Sequence, residues 1–442
     1  MMLTHEKKGA HRRNRPGRPM ILAGSRRVTV AVTTLLLASF NTACEDLLQV
    51  DLPTKVAAEN LDNPSVAEVL VNSAIGEFEC AFSQFVAASG QLTDELRHSS
   101  GWLVMTEWDH RKIGQDRDVA LCNGNFGYGV FTPVQKARVS AESSRMRLEE
   151  WGDGDVPGRA EKIATVATYG AFSRAILGEA FCEMTIDVGP LMSQTEMLQS
   201  AESALGEAMS LAQAAGRSDL ATAAQIRRAG VRLYLGDTSG AMSDASAVPA
   251  GFRYDANYSA ADLYRYNRIY QHNHVDGFLS PEFNDENGQP TVDGDNLTFG
   301  GVVDPRVEST LAGIGQDGSP LRHIHKYPSW TSPIAIANAA EAQLIIAEIE
   351  LGQTAVDIVN GFHAAAGLPA YEPADVNDRA EVMAQVMEER YRELYLEGRR
   401  LYDFLRHDLP FATGTHPYDG NTYGTTTCMQ IPRREKDSNP NL

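Results

Sequence analysis

Apolar residues recur every three to four positions over long stretches of this chain, a period typical of helices that pack through one face. The first stretch begins at Pro64, a residue suited to the first helical turn, and predicts a helix over 64–88. Further helices are predicted over 132–150, 159–188, 195–215, 218–235 and 378–407. The pattern therefore predicts a fold dominated by α-helices.

Two segments combine a Leu-Gly turn with small residues on both sides of it. The turns are Leu235-Gly236 and Leu351-Gly352. Small residues let two helices pack closely, so each segment resembles a tetratricopeptide helix pair. The two turns lie 116 residues apart, whereas a continuous array repeats about every 34 residues. We therefore expect interrupted helix pairs.

Between the helical stretches lie segments rich in glycine, asparagine, aspartate and aromatic residues that show little periodicity. The loop-rich segments are mainly 89–131, 249–333 and 408–442, and the helical scaffold is mainly 64–88, 132–247 and 334–407. Long segments of this kind are usually functional or disordered, and their aromatic content favours a function. We predict one domain over 44–442 whose loops contact a ligand or partner.

The first 43 residues have the layout of an export signal: a basic stretch, an apolar run over 28–40, and small residues before Cys44. A cysteine at the cleavage point resembles a bacterial lipoprotein signal, in which it becomes the lipidated first residue. The apolar run would span about 20 Å as a helix, less than the roughly 30 Å of a hydrocarbon core. We therefore expect membrane attachment only through lipid on Cys44. The alternative is an ordinary secretory signal with a chance cysteine nearby. Separately, Met20 would give the signal a more ordinary start, and residues 1–19 would then be a start-site artefact.

The composition and net charge of the chain limit the kinds of partner that it is expected to bind. The chain is 43% hydrophobic and 22% charged, as folded globular proteins are. Its net charge of −19 should repel nucleic acid and anionic lipid surfaces. We therefore expect no nucleic-acid partner.

Four cysteines follow Cys44, and an even number in an exported chain permits disulfides with three connectivities. We favour a bridge between Cys80 and Cys122, which flank the same loop-rich stretch. Cys182 lies in an apolar helical segment, where we expect a buried free thiol. No spacing of cysteines indicates a zinc site.

The last predicted helix carries the most specific pattern. Residues 388–404 read Glu-Glu-Arg-x-Arg-Glu-Leu-x-x-Glu-Gly-x-Arg-x-x-Asp-Phe, and the chain closes on Asn-Pro-Asn-Leu. These motifs resemble the SusD/RagB family of surface-exposed outer-membrane lipoproteins. Further stretches agree with the family in the right order: 44–51, 175–181, 233–237, 304–327 and 340–348.

The resemblance implies tetratricopeptide-like helix pairs that form a right-handed helical scaffold, with a loop-rich irregular region on the opposite side. It implies a binding protein rather than an enzyme, without a cofactor. Such proteins capture nutrient oligomers, glycan or peptide, and deliver them to a SusC-like TonB-dependent outer-membrane barrel. The arginine that the family often places before the first Ala-Glu pair is replaced here by Ala337-Asn338. The chain is also shorter than many members, which leaves the ligand class open.

Aromatic rings in the loop-rich segments are the candidate ligand contacts, because sugars stack on flat aromatic faces. The candidates are Trp102, Trp108, Tyr327, Trp330, Tyr418 and Tyr423. Trp102 and Trp108 are six residues apart, a spacing that suits one face of a strand. The alternative for each ring is burial in the core of the loops.

Two His-x-His pairs, His272/His274 and His323/His325, would each present both imidazoles on one side of an extended chain. That arrangement begins many metal sites. No acidic residue lies at a recognisable metal-motif spacing, so we expect solvated or hydrogen-bonded histidines and no metal site.

The charged C-terminal helix is expected to carry structural ion pairs. The pairs are Glu388/Arg392, Arg399/Asp403 and Asp403/Arg406. Glu393 and Glu397 would stack side by side on one helix and so would not flank a sugar as glycoside hydrolysis requires. No catalytic motif for acyl or phosphoryl transfer is present. The alternatives to a nutrient-binding protein are an exported all-α glycan-degrading enzyme and a tetratricopeptide-type adaptor.

Overall fold

The computed structural model describes residues 61–114, 122, 129–283 and 296–442. The signal over 1–43 and the lipidation site Cys44 lie outside the described residues. Asp62–Leu442 form one compact unit. Among the described helices, none combines the length and apolar character needed to cross a membrane.

Helices dominate the described ranges, which confirms the predicted fold class. The first seven are α1 (Ala67–Leu92), α2 (Leu103–Asp109), α3 (Phe131–Glu150), α4 (Arg159–Ala180), α5 (Gln194–Ala214), α6 (Ser218–Tyr234) and α7 (Thr238–Ser246). The remaining six are α8 (Arg268–Tyr270), α9 (Ala339–Glu350), α10 (Gly352–Ala366), α11 (Arg379–Glu393), α12 (Arg400–His407) and α13 (Arg433–Ser438). A π-helical turn, Gln271–Val275, continues α8.

The described strands are short and pair only two at a time, all antiparallel. They are β1 (Leu96–His98), β2 (Glu183–Met184), β3 (Met192–Ser193), β4 (Arg253–Ala256), β5 (Leu279–Pro281), β6 (Thr298–Phe299), β7 (Val302–Val303), β8 (Ser309–Ile314), β9 (Pro320–Ile324) and β10 (Ile334–Asn338). The pairs are β1–β5, β2–β3, β4–β10, β6–β7 and β8–β9. Most of them hold the loop-rich segments in place.

Both Leu-Gly turns join consecutive helices, as the sequence predicts. Gly236, between α6 and α7, has φ +81°, a conformation that favours glycine. Leu351 and Gly352, between α9 and α10, have φ +55° and +57°. The two helix pairs meet through an ion pair between buried side chains, Arg227 on α6 and Glu341 on α9, at 3.0 Å.

Helix α4 ends at Ala180, eight residues before the predicted end. Phe181 is extended and forms a parallel bridge with Met429, and the backbone N–H of Cys182 donates to the Met429 carbonyl at 3.0 Å. The expectation of a free thiol at Cys182 is wrong, because this turn out of the helix brings its side chain to Cys428, with which it forms a disulfide. Cys80 and Cys122 form the other disulfide, the pairing that the sequence favours.

Removal of the Cys182–Cys428 bridge by a double serine substitution is expected to lower the free energy of unfolding by about 2–4 kcal/mol. The bridge joins residues 246 positions apart, so its loss releases a long loop in the unfolded chain. Urea unfolding followed by circular dichroism measures the effect. The Cys80/Cys122 double serine variant is the matched control, and its loss should be smaller because that bridge spans 42 positions. Both bridges would be contradicted if a chain that lacks Cys44, denatured in urea without a reductant, contained reactive thiols.

The predicted helix over 378–407 is two helices, α11 and α12, because the chain turns between them. Leu396 and Gly398 have φ +54° and +74°. A Cβ on Gly398 would lie 2.7 Å from the Phe85 ring, so this turn requires glycine. Glu397 therefore leaves the helical face of Glu393, and the stacked arrangement expected for these two carboxylates is wrong.

The turn also changes the ion pairs. Glu388 and Arg392 pair within α11 at 2.5 Å, as predicted. Arg399 and Asp403 do not pair as predicted, because the turn directs Arg399 to Glu341 (2.9 Å) and leaves Asp403 to Arg390 (2.8 Å).

Asp403 and Arg406, the third predicted pair, are 3.9 Å apart, and Arg406 is closer to Glu348 at 2.7 Å. The charged residues of the motif therefore connect α11 and α12 to α9 and do not form the exposed face of a single helix.

Glu95, just before β1, is a buried acid whose protonation should affect stability. Its Oε1 accepts a hydrogen bond from the Leu396 N–H at 2.6 Å, while Oε2 is buried and has no hydrogen-bond partner within the described part of the chain. Burial raises its pKa from 4.5 to about 8. The folded state therefore holds this proton over a pH range in which the unfolded chain has released it. Its contribution to stability is complete below pH 4.5 and is lost as pH rises through about 8.

Glu95→Gln imitates the protonated acid, so its stability relative to the wild type should rise with pH. We expect a gain of about 1–3 kcal/mol in the free energy of unfolding between pH 5 and pH 9. Urea unfolding of both proteins across this range tests the expectation. Glu150→Gln, at an exposed position on α3, serves as the control and should show no such trend. A difference between wild type and Glu95→Gln that is constant with pH would contradict the assignment.

Candidate functional site

A buried asparagine joins distant parts of the loop-rich segment 249–333. Asn273, in the π-helical turn after α8, donates to the carbonyls of Leu279 (2.8 Å) and Arg322 (2.7 Å). Its side-chain oxygen accepts from the Ile324 N–H at 2.9 Å. One side chain therefore ties the turn to β5 and β9, and the rings that these elements carry have defined positions.

Five aromatic or imidazole rings gather at this junction, and we call them the Trp330 cluster: Tyr266, Tyr270, His274, His323 and Trp330. The Trp330 ring centroid lies 4.3 Å from that of Tyr266 and 5.2 Å from that of Tyr270. All five side chains are half-buried. The cluster therefore combines a rigid base with accessible ring surface, the combination that a stacking platform needs.

The histidines of the Trp330 cluster extend it as neutral rings. His274 stacks on Tyr270 with centroids 4.9 Å apart, and the His323 ring lies 4.3 Å from His274. Burial lowers the pKa of both imidazoles below 6.5, so both are uncharged at neutral pH. Rings without charge suit an uncharged ligand.

The other members of the His-x-His pairs point elsewhere. His272 Nδ1 lies 3.1 Å from an Asp276 oxygen, and exposed His325 contacts the Thr310 hydroxyl at 2.6 Å. In each pair the two rings have different neighbours. His272 and His274 also lie on a helical turn and not on an extended chain. The expectation of hydrogen-bonded histidines is confirmed for these residues.

Trp102 and Trp108 do not share the face of a strand, so that expectation is wrong. Trp102 occupies the N-cap position of α2, and Trp108 lies within that helix. Trp102 is 44% exposed and lies against Phe278, with centroids 6.1 Å apart. Trp108 is 5% exposed and belongs to the hydrophobic core. Only Trp102 of the two therefore has ring surface for a ligand.

Tyr327 is also a correction, since it is 2% exposed and its hydroxyl donates to the Leu396 carbonyl at 2.9 Å. It supports the turn between α11 and α12 and offers no platform. Tyr418 and Tyr423 are partly buried and lie beside His416, with ring centroids at 5.7 and 5.5 Å. The Arg97 guanidinium lies over the Tyr418 ring at 4.2 Å. The six candidate rings thus do not form one site.

Sequence reasoning missed two sets of residues. Tyr266 and Tyr270 of the Trp330 cluster lie in the segment 249–333, but nothing in their sequence spacing from Trp330 predicts that the three rings pack together. His98, His110 and His416 meet near Asp419, although the chain separates them widely. The only sequence signals for this second set are the adjacent Asp109-His110 pair and the His416…Asp419 spacing.

A groove of about 570 Å³ lies on another part of the described surface, beside α9 and α11. Its charged side chains are already matched, since Lys326 pairs with Glu397 at 3.0 Å and Arg306 with Glu393 at 3.1 Å. Phe252 and Phe362 also line it. Compared with the Trp330 cluster, the groove offers a mixed-charge surface and fewer rings.

Comparison with known proteins finds a sequence family and a set of structures that are similar to this chain. Residues 338–441 match the model of the SusD family. No curated protein sequence matches the chain at a significant level.

Solved structures share the fold over most of the chain. A SusD superfamily protein from Bacteroides vulgatus is 14% identical, with a TM-score of 0.63 over 86% of this chain and 98% of its own. A SusD-like protein from Bacteroides fragilis is 13% identical, with a TM-score of 0.62 over 89% and 99%. Surface glycan-binding protein A from Bacteroides thetaiotaomicron, solved with laminarihexaose, is 13% identical, with a TM-score of 0.57 over 85% and 98%.

The fold of the chain is therefore SusD-like, as the resemblance to the SusD/RagB family predicts. Its C-terminal motif region matches the family directly, and its helical architecture is that of SusD superfamily structures.

Proposed function

We propose that this protein binds nutrient glycans through the Trp330 cluster and does not turn them over. The observation that carries the proposal is the packing of Trp330 against Tyr266 and Tyr270, at 4.3 and 5.2 Å, with all three rings half-buried. Sugar rings present C–H faces that pack on such surfaces. The SusD-like fold and the laminarihexaose complex of the structurally similar glycan-binding protein support a glycan over a peptide.

The platform is preorganised by backbone contacts, which favours binding. The Asn267 N–H donates to the Trp330 carbonyl at 3.1 Å, and the Asn267 side chain donates to the Ser332 carbonyl at 2.7 Å. This loop therefore needs little further ordering when a ligand binds. The ordering of loops is one of the main free-energy costs of binding.

Exposed Trp102 supplies a second candidate contact. Its ring lies against Phe278. The Phe278 ring centroid also lies 6.1 Å from that of His272, in the turn that carries His274. We propose that the loop-rich segments 89–131, 249–333 and 408–442 form the ligand and partner face, with Trp102 and the Trp330 cluster as its aromatic positions.

Isothermal titration of the chain with soluble glycans tests the proposal, with laminarihexaose, maltohexaose, xylohexaose and a mixed peptide digest as the panel. Saturable binding of at least one glycan is expected, and the peptide digest should give no heat. A reducing-end assay on the same mixtures separates binding from catalysis. Release of new reducing ends would favour the glycan-degrading enzyme, and a panel without any binding would favour the adaptor.

We further propose that the protein is anchored to the outer membrane through lipid on Cys44 and passes its ligand to a SusC-like TonB-dependent barrel. The lipoprotein-type signal and the SusD-like fold support this placement. Mass spectrometry of the mature N-terminus in the native cell should find an acylated cysteine at position 44. Gentle detergent extraction should copurify a large outer-membrane barrel. A bare terminus or the absence of such a barrel would contradict this part of the proposal.

A further inference from the structure

Three histidines from separate parts of the chain meet beside one carboxylate, and we call this group the His98 cluster: His98, His110, His416 and Asp419. One ligand atom from each residue lies within 4.8 Å of every other. His98 ends β1, His110 follows α2 directly, and His416 and Asp419 belong to the C-terminal loop. The three histidine side chains are 1–7% exposed, and the Asp419 side chain is 17% exposed.

The atoms of the cluster face one another without forming hydrogen bonds. His110 Nε2 lies 2.9 Å from Asp419 Oδ2, and His416 Nδ1 lies 3.0 Å from Asp419 Oδ1. Both nitrogens are buried, and neither makes a hydrogen bond of suitable geometry to Asp419 or to any other residue that the structure describes. His98 Nε2 is 3.5 Å from Asp419 Oδ2. Buried polar atoms without partners are rare in native structures and call for a specific explanation.

A second carboxylate holds the outer nitrogens of two rings. Asp109 Oδ2 lies 2.7 Å from His98 Nδ1 and 3.4 Å from His416 Nε2. It also accepts from the His98 backbone N–H at 2.7 Å. A carboxylate on the outer nitrogen fixes the tautomer so that the inner nitrogen presents its lone pair, which is the arrangement found behind metal-bound histidines. The inner atoms, His98 Nε2 and His416 Nδ1, are those that face Asp419.

A third carboxylate borders the same point. Asp317 Oδ2 lies 3.7 Å from His98 Nε2 and is buried, with no hydrogen-bond partner among the described residues. Its other oxygen is held by the Ser319 hydroxyl and N–H at 2.7 and 2.9 Å. Asp317 is therefore fixed in place with one free oxygen directed at the cluster.

We propose that the His98 cluster binds a divalent transition metal ion, Zn²⁺ in the first place, through three imidazole nitrogens and the Asp419 carboxylate. Three nitrogens and one oxygen form a four-ligand set typical of zinc, whereas Ca²⁺ and Mg²⁺ prefer oxygen ligands alone. The Asp419 oxygens lie 2.9–3.5 Å from the three imidazole nitrogens. These separations are close to the edge of roughly 3.3–3.6 Å of a tetrahedron with metal–ligand distances of about 2.0–2.2 Å. Asp317 is placed to serve as a fifth ligand.

The bound ion would join segments that are distant in sequence. It would link β1 and the end of α2 to the C-terminal loop, next to Tyr418 and Tyr423. The loop already contacts this region through the Gly424 N–H, which donates to the His110 carbonyl at 2.7 Å. The inferred role is structural: the ion fixes the loop over 411–424 to the rest of the face. This inference does not depend on glycan binding.

The test is a titration of untagged, chelator-treated full chain with ZnCl₂ by isothermal titration calorimetry, with metal content measured after dialysis. We expect one Zn²⁺ per chain and a thermal unfolding midpoint that rises on loading. Co²⁺ loading should give the intense visible absorption bands of a tetrahedral site with nitrogen and oxygen ligands. Absence of stoichiometric Zn²⁺ uptake by the wild type would overturn the proposal.

Two variants locate the ion. His416→Ala removes a buried ligand, and Asp419→Asn removes the charged ligand at a partly exposed position where folding should persist. Each should weaken Zn²⁺ binding at least about 10–100-fold. His323→Ala is the matched control, because it removes one of the two close imidazoles of the Trp330 cluster, and it should leave uptake unchanged. Uptake lost in His323→Ala but retained in Asp419→Asn would place the ion elsewhere and overturn the assignment.

Discussion

Replacement of Trp330 by alanine is expected to abolish detectable glycan binding. The indole is the largest ring of the Trp330 cluster, and its two tyrosine neighbours lie at 4.3 and 5.2 Å. Large aromatic side chains at the centre of an interface often contribute 2 kcal/mol or more when truncated. A loss of about 2–3 kcal/mol corresponds to roughly 30–150-fold in affinity, enough to remove the signal of a moderate binder.

The variant should fold, because the contacts that hold the loop involve backbone atoms. The Trp330 carbonyl accepts from the Asn267 N–H, and the Ser332 carbonyl accepts from the Asn267 side chain. Neither contact needs the indole. Isothermal titration with the glycan that binds best in the panel measures the loss, and circular dichroism checks the fold.

Tyr264→Ala is the matched control for Trp330→Ala. Tyr264 is 39% exposed in the turn that precedes the Trp330 cluster, and it is outside that cluster. Its replacement should leave the affinity within about twofold, as expected of a surface substitution that touches no ligand. Wild-type affinity in Trp330→Ala, together with a loss in Trp102→Ala, would move the platform to the exposed tryptophan on Phe278.

The helical part of the fold is predictable because its signal is local. A period of three to four residues defined the helices over 132–150 and 218–235 to within one residue at each end. Errors arose where a tertiary contact overrides the pattern. Helix α4 ends early because Phe181 pairs with Met429, and the charged C-terminal segment breaks because Gly398 must pass close to Phe85.

The candidate site was less predictable, since the exposure of a ring depends on residues far away in sequence. Trp102 and Trp108 lie six residues apart in the same loop-rich segment, yet the first is 44% exposed and the second 5%. Tyr327 lies in a loop-rich segment of the sequence, but it is buried and its hydroxyl donates to the Leu396 carbonyl. The His98 cluster is the extreme case, because His98 and His416 become neighbours only through tertiary folding.

Loss of the Glu341 carboxylate is expected to cause the largest destabilisation of the scaffold. Glu341, on α9, is buried, and its Oε1 accepts from Arg227 at 3.0 Å and from Arg399 at 2.9 Å. Arg227 also pairs with Glu179 at 2.5 Å, so the network joins α4, α6, α9 and the turn before α12. Glu341→Ala would leave Arg399 buried beside a cavity, with its Nη2 still on the Ile336 carbonyl. A buried charge that loses its partner costs about 3–5 kcal/mol.

Urea unfolding of Glu341→Ala should therefore show a free energy of unfolding lower by that amount, or a chain that fails to fold at 37 °C. Glu207→Ala is the matched control, since Glu207 pairs with Arg145 at 2.6 Å but its side chain is 54% exposed. An exposed pair contributes at most about 1 kcal/mol, because water screens it. Equal losses in the two variants would show that the buried network adds nothing beyond a surface pair. A larger loss in Glu341→Ala would instead show that the charged C-terminal motif, which sequence alone assigned to one helix, stabilises the junction of four chain segments.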